Sequence, residues 1–586
     1  MRLEDYWGIG PKTSELLREE LGVEAAVEAI ESGDVRVLTQ AGLPRGRATR
    51  ILRRATGGAA MDVLATRDTR NVYKEVLELA SEYAVTDHAA DRIRVLTPLS
   101  GPDAMGERVE RVEAAREAWA ALDETTRTDV EAAFDAYDSV TGGDRAGVRT
   151  ALALQDAGVA DGVFAPVADL DRETLVEAEA ALAGLEGGGD RVGEGADDRL
   201  DDLRGTLATV EDLAATPDEA LGAVQSGARG TDEFQESFLR YVADETGADL
   251  ATVREAMPEG ATDARDFVTG TLRSLSGSLR SAVDEREREV TADLEATLEE
   301  TREAVDAAVN AVDDVALYVS LARFADAFDL TAPTYVTTHD VLAVVNARNL
   351  ALADAGDAVQ PITYAVGDYD LDVASATRPP QGDRVAVLTG ANSGGKTTLL
   401  ETLCQVQLLA QMGLPVPAEA AEVGLVDAVV FHRRHASFNA GVLESTLRSV
   451  VPPLSAGGRT LMLVDEFEAI TEPGSAADLL HGLVTLTVEK DALGVFVTHL
   501  ADDLEPLPET ARTDGIFAEG LTTDLELQVD YQPRFETVGK STPEFIVSRL
   551  VADADDHRER AGFETLARAV GEAAVQRTLA DARWSK

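Results

Sequence analysis

The sequence predicts a multidomain protein in which a small all-α domain and a long all-α region precede an α/β domain. Within residues 1–58, two turns rich in glycine each precede an amphipathic segment. Alanine, leucine and glutamate then dominate residues 60–340, with apolar residues at spacings of three and four. Over residues 341–555, short apolar runs alternate with helical segments, as in a largely parallel sheet. Residues 556–586 complete the chain as a predicted C-terminal helical tail.

Composition limits the class of protein. The 586 residues carry a net charge of −54, and only six of the basic residues are lysine. Because apolar periodicity runs through most of the chain, we interpret this acidity as the surface of a folded, halophilic protein. A single cysteine, Cys404, excludes an internal disulfide. No apolar run reaches transmembrane length, so we expect an intracellular protein with no membrane contact.

The first segment differs from the rest of the chain in charge. Residues 1–60 contain nine basic and nine acidic residues, so the net charge arises further along the chain. Residues 44–54 include five arginines and no acidic residue. In a chain that is otherwise strongly acidic, such a patch indicates a negatively charged ligand.

Two turns in this segment have the pattern of helix-hairpin-helix motifs. One precedes a predicted helix over residues 13–21, and the other precedes a helix that runs through Arg54. In this motif, backbone amides at a helix N-terminus contact a DNA phosphate, which predicts sequence-independent binding of double-stranded DNA. An ordinary helical hairpin is the structural alternative. The predicted DNA-binding residues are Gly8, Gly10, Lys12, Gly42, Arg45, Gly46, Arg47 and Arg50.

The long helical region contains two features that stand out. Residues 281–312 have neither glycine nor proline and predict one long charged helix of the kind found in coiled-coil arms. Residues 184–195 are rich in glycine and predict a loop. A stretch such as 281–312 is more often a solvated structural arm than a binding surface.

The α/β segment contains a phosphate-binding pattern. Residues 390–397 match G-x-x-x-x-G-K-[ST] without a mismatch, between the apolar run 385–388 and a helical segment. This strand–loop–helix context predicts a site for ATP and Mg²⁺, in which Lys396 contacts the phosphates and Thr397 binds the metal. A glycine turn before an ordinary helix is the alternative. The predicted nucleotide-binding residues are Gly390, Ala391, Asn392, Ser393, Gly394, Gly395, Lys396, Thr397 and Thr398.

Two further strand ends complete the predicted chemistry. The run 461–464 ends in Asp465, a second ligand for Mg²⁺, and Glu466, which can polarise the attacking water. The run 494–497 precedes His499, which can contact the γ-phosphate or the water. A surface histidine at a strand end is the alternative for His499. His432 and His435 lie three residues apart but lack the further ligands that a metal site needs.

These motifs resemble those of the MutS superfamily of DNA-handling ABC-type ATPases. Residues 388–400 resemble its Walker A loop, and residues 408–419 resemble its L-A-Q-x-G-x-x-V-P-A segment. Residues 431–437 match the segment that the family writes as F-T-R-I-G-A-S. Thr498-His499 and the closing Gly539-Lys-Ser541 follow in the family's order. The resemblance implies an α/β ATPase domain of the ABC type and a helical core with levers.

The resemblance also implies a homodimer. Gly441-Val-Leu-Glu-Ser445 matches the family's signature segment, whose serine reaches the γ-phosphate bound by the partner subunit. Each of two composite sites would then combine the phosphate loop of one subunit with Ser445 of the other. Glu444 departs from the arginine that is usual before this serine.

Two departures point to the second MutS branch in its archaeal form. Helix-hairpin-helix turns stand in place of the mismatch-reading domain, and Thr471-Glu472-Pro473 favours that branch. The endonuclease domain of many bacterial members has no counterpart near the C-terminus, so we expect no nuclease activity. The aromatic residue that stacks on adenine has a non-aromatic replacement near residues 359–361, which leaves base selectivity open.

We therefore expect a cytoplasmic, nucleoid-associated ATPase that acts as a dimeric clamp on DNA and is stimulated or modulated by DNA. It would convert ATP and water to ADP and phosphate. One alternative is recognition of mismatched or branched DNA in repair or recombination. Another is a structural chromosome clamp whose slow ATPase only gates opening.

Overall fold

The computed structural model describes the 586-residue chain except for residues 1–2, 4–5, 7, 140–142, 186–191, 226–229, 259, 391–394, 435–439, 468–472, 522–526, 540–542, 555, 572–574, 576–577 and 579–586. The chain divides into two compact units. The first comprises Met1–Asp123, Asp161–Val163 and Asp314–Lys586, and the second comprises Glu124–Ala160 and Phe164–Asp313.

Helices account for most of the described residues. The first unit begins with helices α1 Pro11–Glu20, α2 Val23–Ser32, α3 Val35–Gln40, α4 Arg45–Gly57, α5 Arg67–Ser81, α6 Asp87–Arg94 and α7 Pro102–Ala121. There follow α8 Glu124–Ser139, α9 Asp144–Asp156, α10 Ala165–Ala168, α11 Arg172–Gly184, α12 Asp198–Ala215, α13 Pro217–Gln225, α14 Thr231–Thr246, α15 Leu250–Glu255 and α16 Ala264–Ala327. The later helices are α17 Leu350–Asp354, α18 Lys396–Gln411, α19 Ala440–Ser455, α20 Pro473–Glu489, α21 Pro543–Asp553 and α22 His557–Val570.

The strands form two sheets in the first unit. They are β1 Thr334–Val336, β2 Val341–Ala347, β3 Ile362–Gly367, β4 Val385–Gly390, β5 Ala420–Gly424, β6 Ala428–His432, β7 Thr460–Asp465, β8 Leu493–Val497, β9 Ala511–Leu521 and β10 Leu527–Arg534. The smaller sheet has the order β1-β5-β2-β3, and the larger has the order β10-β9-β4-β8-β7-β6. In the larger sheet, every neighbouring pair is parallel except β9 and β10.

Burial explains why the central strands form where they do. Strands β4, β6, β7 and β8 are buried at every position, as expected for parallel strands covered on both faces. Apolar residues of helix α18 and of both sheets form one large core. This core also includes residues of α5 and of the C-terminal end of α16. A second cluster, which includes residues of α20, covers the other face of the larger sheet.

The strands and the long helix predicted from the sequence are present. Strand β6 begins at Ala428, two residues after the start of the apolar run at Val426. Its start is fixed by Asp427, whose amide donates to the Arg459 carbonyl and whose carboxylate accepts from the Arg459 amide, both at 2.8 Å. The predicted helix over 281–312 lies within the 64 residues of α16. The sequence pattern predicted that the α/β segment begins at residue 341. Strand β1 lies before that residue and pairs with β5, so the smaller sheet begins earlier in the chain.

The second unit is helical over its described residues. Aromatic side chains from α14 and α16 form its main core, in which Phe234, Phe238 and Phe267 contact one another at ring-centre distances of 5.8–6.4 Å. In the described parts of both units, no helix combines the length and the apolar character that crossing a membrane requires.

Helix α5 protects the edge strand β6. The Thr69 hydroxyl donates to the Val429 carbonyl at 2.8 Å and accepts from the Phe431 amide at 3.0 Å. The Thr66 hydroxyl donates to the Phe431 carbonyl. Both threonines are buried, so side chains satisfy backbone groups that an exposed edge would otherwise offer to another chain.

Replacing Thr69 with valine is expected to lower the free energy of unfolding by about 1–3 kcal/mol. Valine keeps the shape of threonine but leaves the Val429 carbonyl and the Phe431 amide buried without their partner. Urea unfolding followed by tryptophan fluorescence would measure the change. Thr565→Val, at an exposed position on α22, is the matched control and should change stability by less than about 0.5 kcal/mol. An equal loss in both variants would contradict the role of Thr69.

Candidate functional site

The candidate site lies where three neighbouring parallel strands end. Leu388 of β4 and Asp465 of β7 both align with Val497 of β8, the strand between them. The Thr498 amide donates to the Leu388 carbonyl, and the Glu466 amide donates to the Val497 carbonyl, both at 3.0 Å. Carboxyl ends of parallel strands are the usual place for ligands in open α/β sheets. The predicted phosphate loop, acidic pair and histidine therefore meet at one edge of the larger sheet.

The loop after β4 requires glycine at its base. Gly390 has φ +130°, and a Cβ there would lie 2.2 Å from the Ile516 carbonyl oxygen. A Cβ on Gly539 would in turn approach the Gly390 backbone to 2.9 Å, so Gly539 packs directly on the end of β4. Ala391, Asn392, Ser393 and Gly394 lie outside the described residues, as do Thr471, Glu472 and Ser541.

Lys396 begins helix α18 and is buried beside this loop. Its Nζ donates to the Gly390 carbonyl at 2.9 Å. A buried ammonium group needs a charged or polar partner, and here the loop backbone supplies one. Thr398, two residues on, also lines the adjoining cavity. The geometry thus puts a cation at the helix N-terminus where a phosphate group can bind.

Thr397 and Asp465 are suited to hold a divalent cation. The Thr397 hydroxyl donates to Asp465 Oδ2 at 2.7 Å. Within the described chain, Asp465 Oδ1 is buried and has no hydrogen-bond partner. Burial raises the pKa of Asp465, and the Thr397 hydrogen bond and the Lys396 charge oppose that shift. An orphaned carboxylate oxygen beside a hydroxyl is the ligand set that Mg²⁺ prefers, so these two residues fit the predicted metal.

Glu466 is held by two cationic or potentially cationic side chains. His499 Nε2 lies 3.0 Å from Oε1, and the Arg434 guanidinium lies 2.6 Å from Oε2. The hydrogen bond from His499, with further help from Arg434 and Lys396, lowers the pKa of Glu466 despite its burial. The pKa values of the neighbouring carboxyls are thus shifted in opposite directions: burial raises that of Asp465, and the cationic neighbours lower that of Glu466.

The backbone at Glu466 is unusual. This buried residue has φ +41°, a left-handed conformation that non-glycine residues seldom adopt. Such conformations persist where the surrounding structure holds them, and they cluster at functional sites. Here the conformation follows directly after β7 and turns the Glu466 side chain toward Arg434 and His499.

A cavity of about 490 Å³ opens beside these residues. Lys396, Thr397 and Glu466 line one part of it, and Val359 and Gln360 line another. The sequence suggested a missing aromatic residue near 359–361, but the structure brings Tyr531 of β10 to the same cavity. The side chain of Gln360 holds Tyr531 at this cavity. Its Nε2 donates to Asp530 Oδ1 at 2.9 Å, and its Oε1 accepts from the Tyr531 backbone amide at 3.1 Å.

The predicted signature serine lies elsewhere. Ser445 is exposed on α19 and is not among the residues that line the 490 Å³ cavity. Glu444 next to it forms an exposed pair with Arg448, at 2.8 Å. One subunit therefore does not bring Ser445 to its own candidate nucleotide cavity.

The residues predicted to bind DNA lie on α1, on α4 and in the turns that precede these two helices. Seven of the eight are exposed and Gly10 is half-buried. Gly8 and Gly42 have φ +83° and +90°, and a Cβ on them would meet Ile51 of α4 and Leu16 of α1 respectively. The Arg47 guanidinium donates to the Thr13 hydroxyl at 2.6 Å, which ties the first turns of α1 and α4 together. The turn before α1 thus packs against α4, and the turn before α4 packs against α1.

Sequence patterns missed Tyr531, which lines the 490 Å³ cavity, and Arg434, which contacts Glu466 beside it. Arg434 stands where the family segment has isoleucine, and this departure was the available signal. Tyr531 lies far along the chain, and no local pattern connected it to the phosphate loop. The described residues contain no cluster of three potential metal ligands among His, Cys, Asp and Glu, and His435 is outside them.

The fold and the site define a multidomain protein whose α/β domain gathers charged side chains at the carboxyl ends of parallel strands. Within this class, residues 386–511 match the sequence profile of the family described as MutS domain V. These residues contain the phosphate loop, the acidic pair and His499, so the match covers the candidate site.

Individual relatives carry MutS names. The chain is 42% identical over 207 residues to the DNA-binding protein MutS2 of Pyrococcus furiosus, which is 35% of each chain. It is 30% identical over 229 residues to the Endonuclease MutS2 of Thermomicrobium roseum, covering 36% of this chain and 27% of the relative. With the DNA mismatch repair protein MutS 2 of Halobacterium salinarum it shares 29% over 336 residues, 54% of this chain and 36% of the relative.

The chain thus spans about a third of the length of these relatives. The matches support the MutS superfamily, and within it the branch that carries the name MutS2.

Proposed function

We propose that this protein is a DNA-binding ATPase of the second MutS branch, that it binds DNA largely without regard to sequence, and that it acts as a dimeric clamp. The observation that carries the proposal is the meeting of Lys396, Thr397, Asp465, Glu466 and His499 at one edge of the larger sheet. The name of one relative, DNA-binding protein MutS2, and the five arginines of helix α4 support DNA as the partner.

In the proposed reaction, Lys396 leaves the Gly390 carbonyl to contact the β- and γ-phosphates of ATP. Thr397 and Asp465 would hold Mg²⁺, which supplies positive charge to the phosphate oxygens when bound. Glu466 accepts the proton of the attacking water, and His499 orients its carboxylate and contacts the γ-phosphate. Water adds to the γ-phosphorus as the bond to ADP breaks, so ATP and water give ADP and phosphate.

The position of Ser445 supports the proposed homodimer. Ser445 is exposed and does not line the cavity of its own subunit, and in the dimer it would contact a nucleotide bound by the partner. Two composite sites would then close when ATP binds. Such closure would move the helical arms, as nucleotide-driven domain switches do in general.

The N-terminal helices supply the proposed contact with double-stranded DNA. Each of the helices α1 and α4 begins directly after a hairpin that contains a left-handed glycine, and Arg47 holds the two first turns together. Backbone amides at two adjacent helix N-termini suit successive phosphates of a duplex. Contacts to phosphates alone carry no sequence information, which is the basis for proposing non-specific binding.

Lys396→Ala tests the ATPase. Loss of the cation that contacts the phosphates should lower ATP turnover by about 10²–10³-fold. The measurement is phosphate release by the full chain in molar KCl, without DNA and with homoduplex, mismatched duplex or a four-way junction. Lys490→Ala, at an exposed position just after α20, is the matched control and should retain wild-type turnover.

The same experiment separates the alternatives. Equal stimulation by every DNA supports a non-specific DNA-dependent ATPase, whereas selective stimulation by the mismatch or junction favours recognition of that structure. A slow turnover that DNA leaves unchanged, together with nucleotide-dependent residence on DNA, favours a structural clamp. Wild-type turnover no higher than that of Lys396→Ala would refute the enzyme assignment.

A further inference from the structure

A second cavity, of about 880 Å³, lies between α4, α5 and α6 in the first unit. Its cationic lining comprises Arg45, Arg50, Arg53 and Arg54 from α4, Arg70 and Lys74 from α5, and Arg94 from α6. One acidic side chain, Glu78, lies among them. Such a concentration of positive charge is unexpected in a chain with a net charge of −54, and we call this site the basic cavity.

Most of the guanidinium groups of the basic cavity are fixed by the protein. Arg94 binds both carboxylate oxygens of Glu78, at 3.1 and 3.2 Å. Arg53 donates to the Arg94 carbonyl at 2.7 Å, and Arg70 donates to the Leu64 carbonyl at 2.9 Å. The hydrogen bonds to neutral carbonyls hold Arg53 and Arg70 in position without neutralising their charge, so this part of the cavity is built before any ligand arrives.

Two cations of the cavity are uncommitted. Arg50 and Lys74 form no hydrogen bond or ion pair with any residue in the described part of the chain. Both side chains are exposed at the rim, one on α4 and one on α5. The surrounding arginines also lower the pKa of Glu78, chiefly through its hydrogen bond with Arg94. Three carboxylates pair with cations of the cavity: Glu78 and Asp91 with Arg94, Asp91 also with Arg45, and Asp62 with Arg54. Seven cations line the cavity, so positive charge still exceeds negative charge there, which points to an anionic ligand.

The floor of the basic cavity is apolar and aromatic. Met61, Leu64 and Tyr73 line it, and the Arg53 guanidinium lies 5.1 Å from the centre of the Tyr73 ring. A guanidinium held over a ring presents a flat cationic face on which a nucleic-acid base can stack. A duplex backbone is convex and offers only phosphates, whereas this cavity has room for a whole nucleotide with its phosphate at the rim.

We propose that the basic cavity binds an unpaired nucleotide of a DNA strand, next to the duplex held by the hairpins of α1 and α4. Arg45, Gly46 and Arg50 belong to both surfaces, so a strand that leaves the duplex at the hairpins reaches the cavity directly. Phosphates contact Arg50 and Lys74, and the base lies against Arg53 and the apolar floor. This inference rests on the proposed DNA binding and adds a preference for junctions between duplex and single strand.

Lys74→Glu tests the basic cavity, because Lys74 is exposed and belongs to α5 rather than to the hairpins. The full-length wild type should bind a duplex with a single-stranded overhang of about 10 nucleotides at least about fivefold more tightly than a blunt duplex. Lys74→Glu should abolish this preference and leave blunt-duplex affinity within about twofold. The slope of log affinity against log salt for the overhang DNA should fall by about one.

Lys12→Glu, on the exposed surface of α1, is the comparison for the duplex contact. It should weaken binding of both DNAs equally and preserve the overhang preference. Lys490→Glu, an exposed lysine just after α20, should leave both affinities unchanged. Thermal melting of each variant checks the fold independently of binding.

Three results would overturn the proposal. Equal wild-type binding of blunt and overhang DNA would refute the basic cavity as a strand site while leaving duplex binding intact. Equal losses on both DNAs in Lys74→Glu would make Lys74 part of the duplex contact instead. Competition by millimolar thymidine monophosphate that is as effective as overhang DNA would assign the cavity to a free nucleotide. No binding of either DNA would refute the proposed function itself.

Discussion

Glu466→Gln is expected to lower ATP turnover by about 10²–10⁴-fold, while the affinity for ATP changes by less than about threefold. The glutamine amide has the size of the carboxylate but accepts no proton from the attacking water. Lys396, which contacts the phosphates in the proposed site, is unchanged. The variant should therefore bind ATP and hold it.

The contacts of Glu466 explain why the expected loss is large. His499 and Arg434 each engage one carboxylate oxygen, at 3.0 and 2.6 Å, so the group is oriented before substrate binds. The lowered pKa of Glu466 keeps the carboxylate ionised through the neutral range. A group that is already charged and oriented loses little free energy in reaching the transition state.

The measurement compares single-turnover hydrolysis with equilibrium binding of a fluorescent ATP analogue. Glu489→Gln makes the same chemical change at an exposed position at the end of α20, and it should leave both quantities unaltered. If Glu466→Gln hydrolysed ATP at more than a tenth of the wild-type rate, Glu466 would not be the group that activates water.

Local sequence patterns predicted the part of the site that depends on adjacent residues. The runs that became β4, β7 and β8 are fully buried, and burial on both faces requires continuous apolar residues. A phosphate-binding loop follows a buried strand and precedes a helix. The loop motif in the sequence therefore indicated that it begins at the carboxyl end of β4. Asp465 and Glu466 could be assigned because the residues after parallel strands meet at one edge.

Contacts between distant segments could not be read from local patterns. Arg434 reaches Glu466, and Tyr531 reaches the phosphate-loop cavity, through the packing of separate strands and loops. Thr66 and Thr69 were simply part of a helical region in the sequence, but they bind β6 across more than 300 residues. The basic cavity likewise depends on α5 and α6 lying against α4, whereas only the arginines of α4 formed a visible cluster.

A buried charged cluster next to the phosphate-loop strand was also invisible in the sequence. Asp514 of β9 aligns with Leu388 of β4, and Arg512 Nε donates to both of its carboxylate oxygens at 3.0 and 3.1 Å. The Tyr364 hydroxyl donates to Asp514 Oδ2 at 2.8 Å. Arg512 is 5% exposed and Asp514 is fully buried. The Arg512 guanidinium also lies 5.6 Å from the ring centres of both Tyr364 and Phe535.

Asp514→Ala is expected to lower the free energy of unfolding of the first unit by about 3–5 kcal/mol, because it leaves the Arg512 guanidinium buried without its main counter-charge. The triple change Arg512→Met, Asp514→Val and Tyr364→Phe removes the charged pair together with the hydroxyl that serves it. It should lose less stability than Asp514→Ala, although it alters more atoms.

Urea unfolding, with hydrogen exchange of the β4 and β9 amides to locate the loss, would measure these free energies. Asp503→Ala, an exposed aspartate on the short helix Ala501–Leu504, is the matched control and should remain within about 0.5 kcal/mol of the wild type. A triple variant less stable than Asp514→Ala would mean that the pair contributes net stability. A triple variant that recovers most of the loss would mean that the cost of Asp514→Ala lies in the unpaired charge of Arg512.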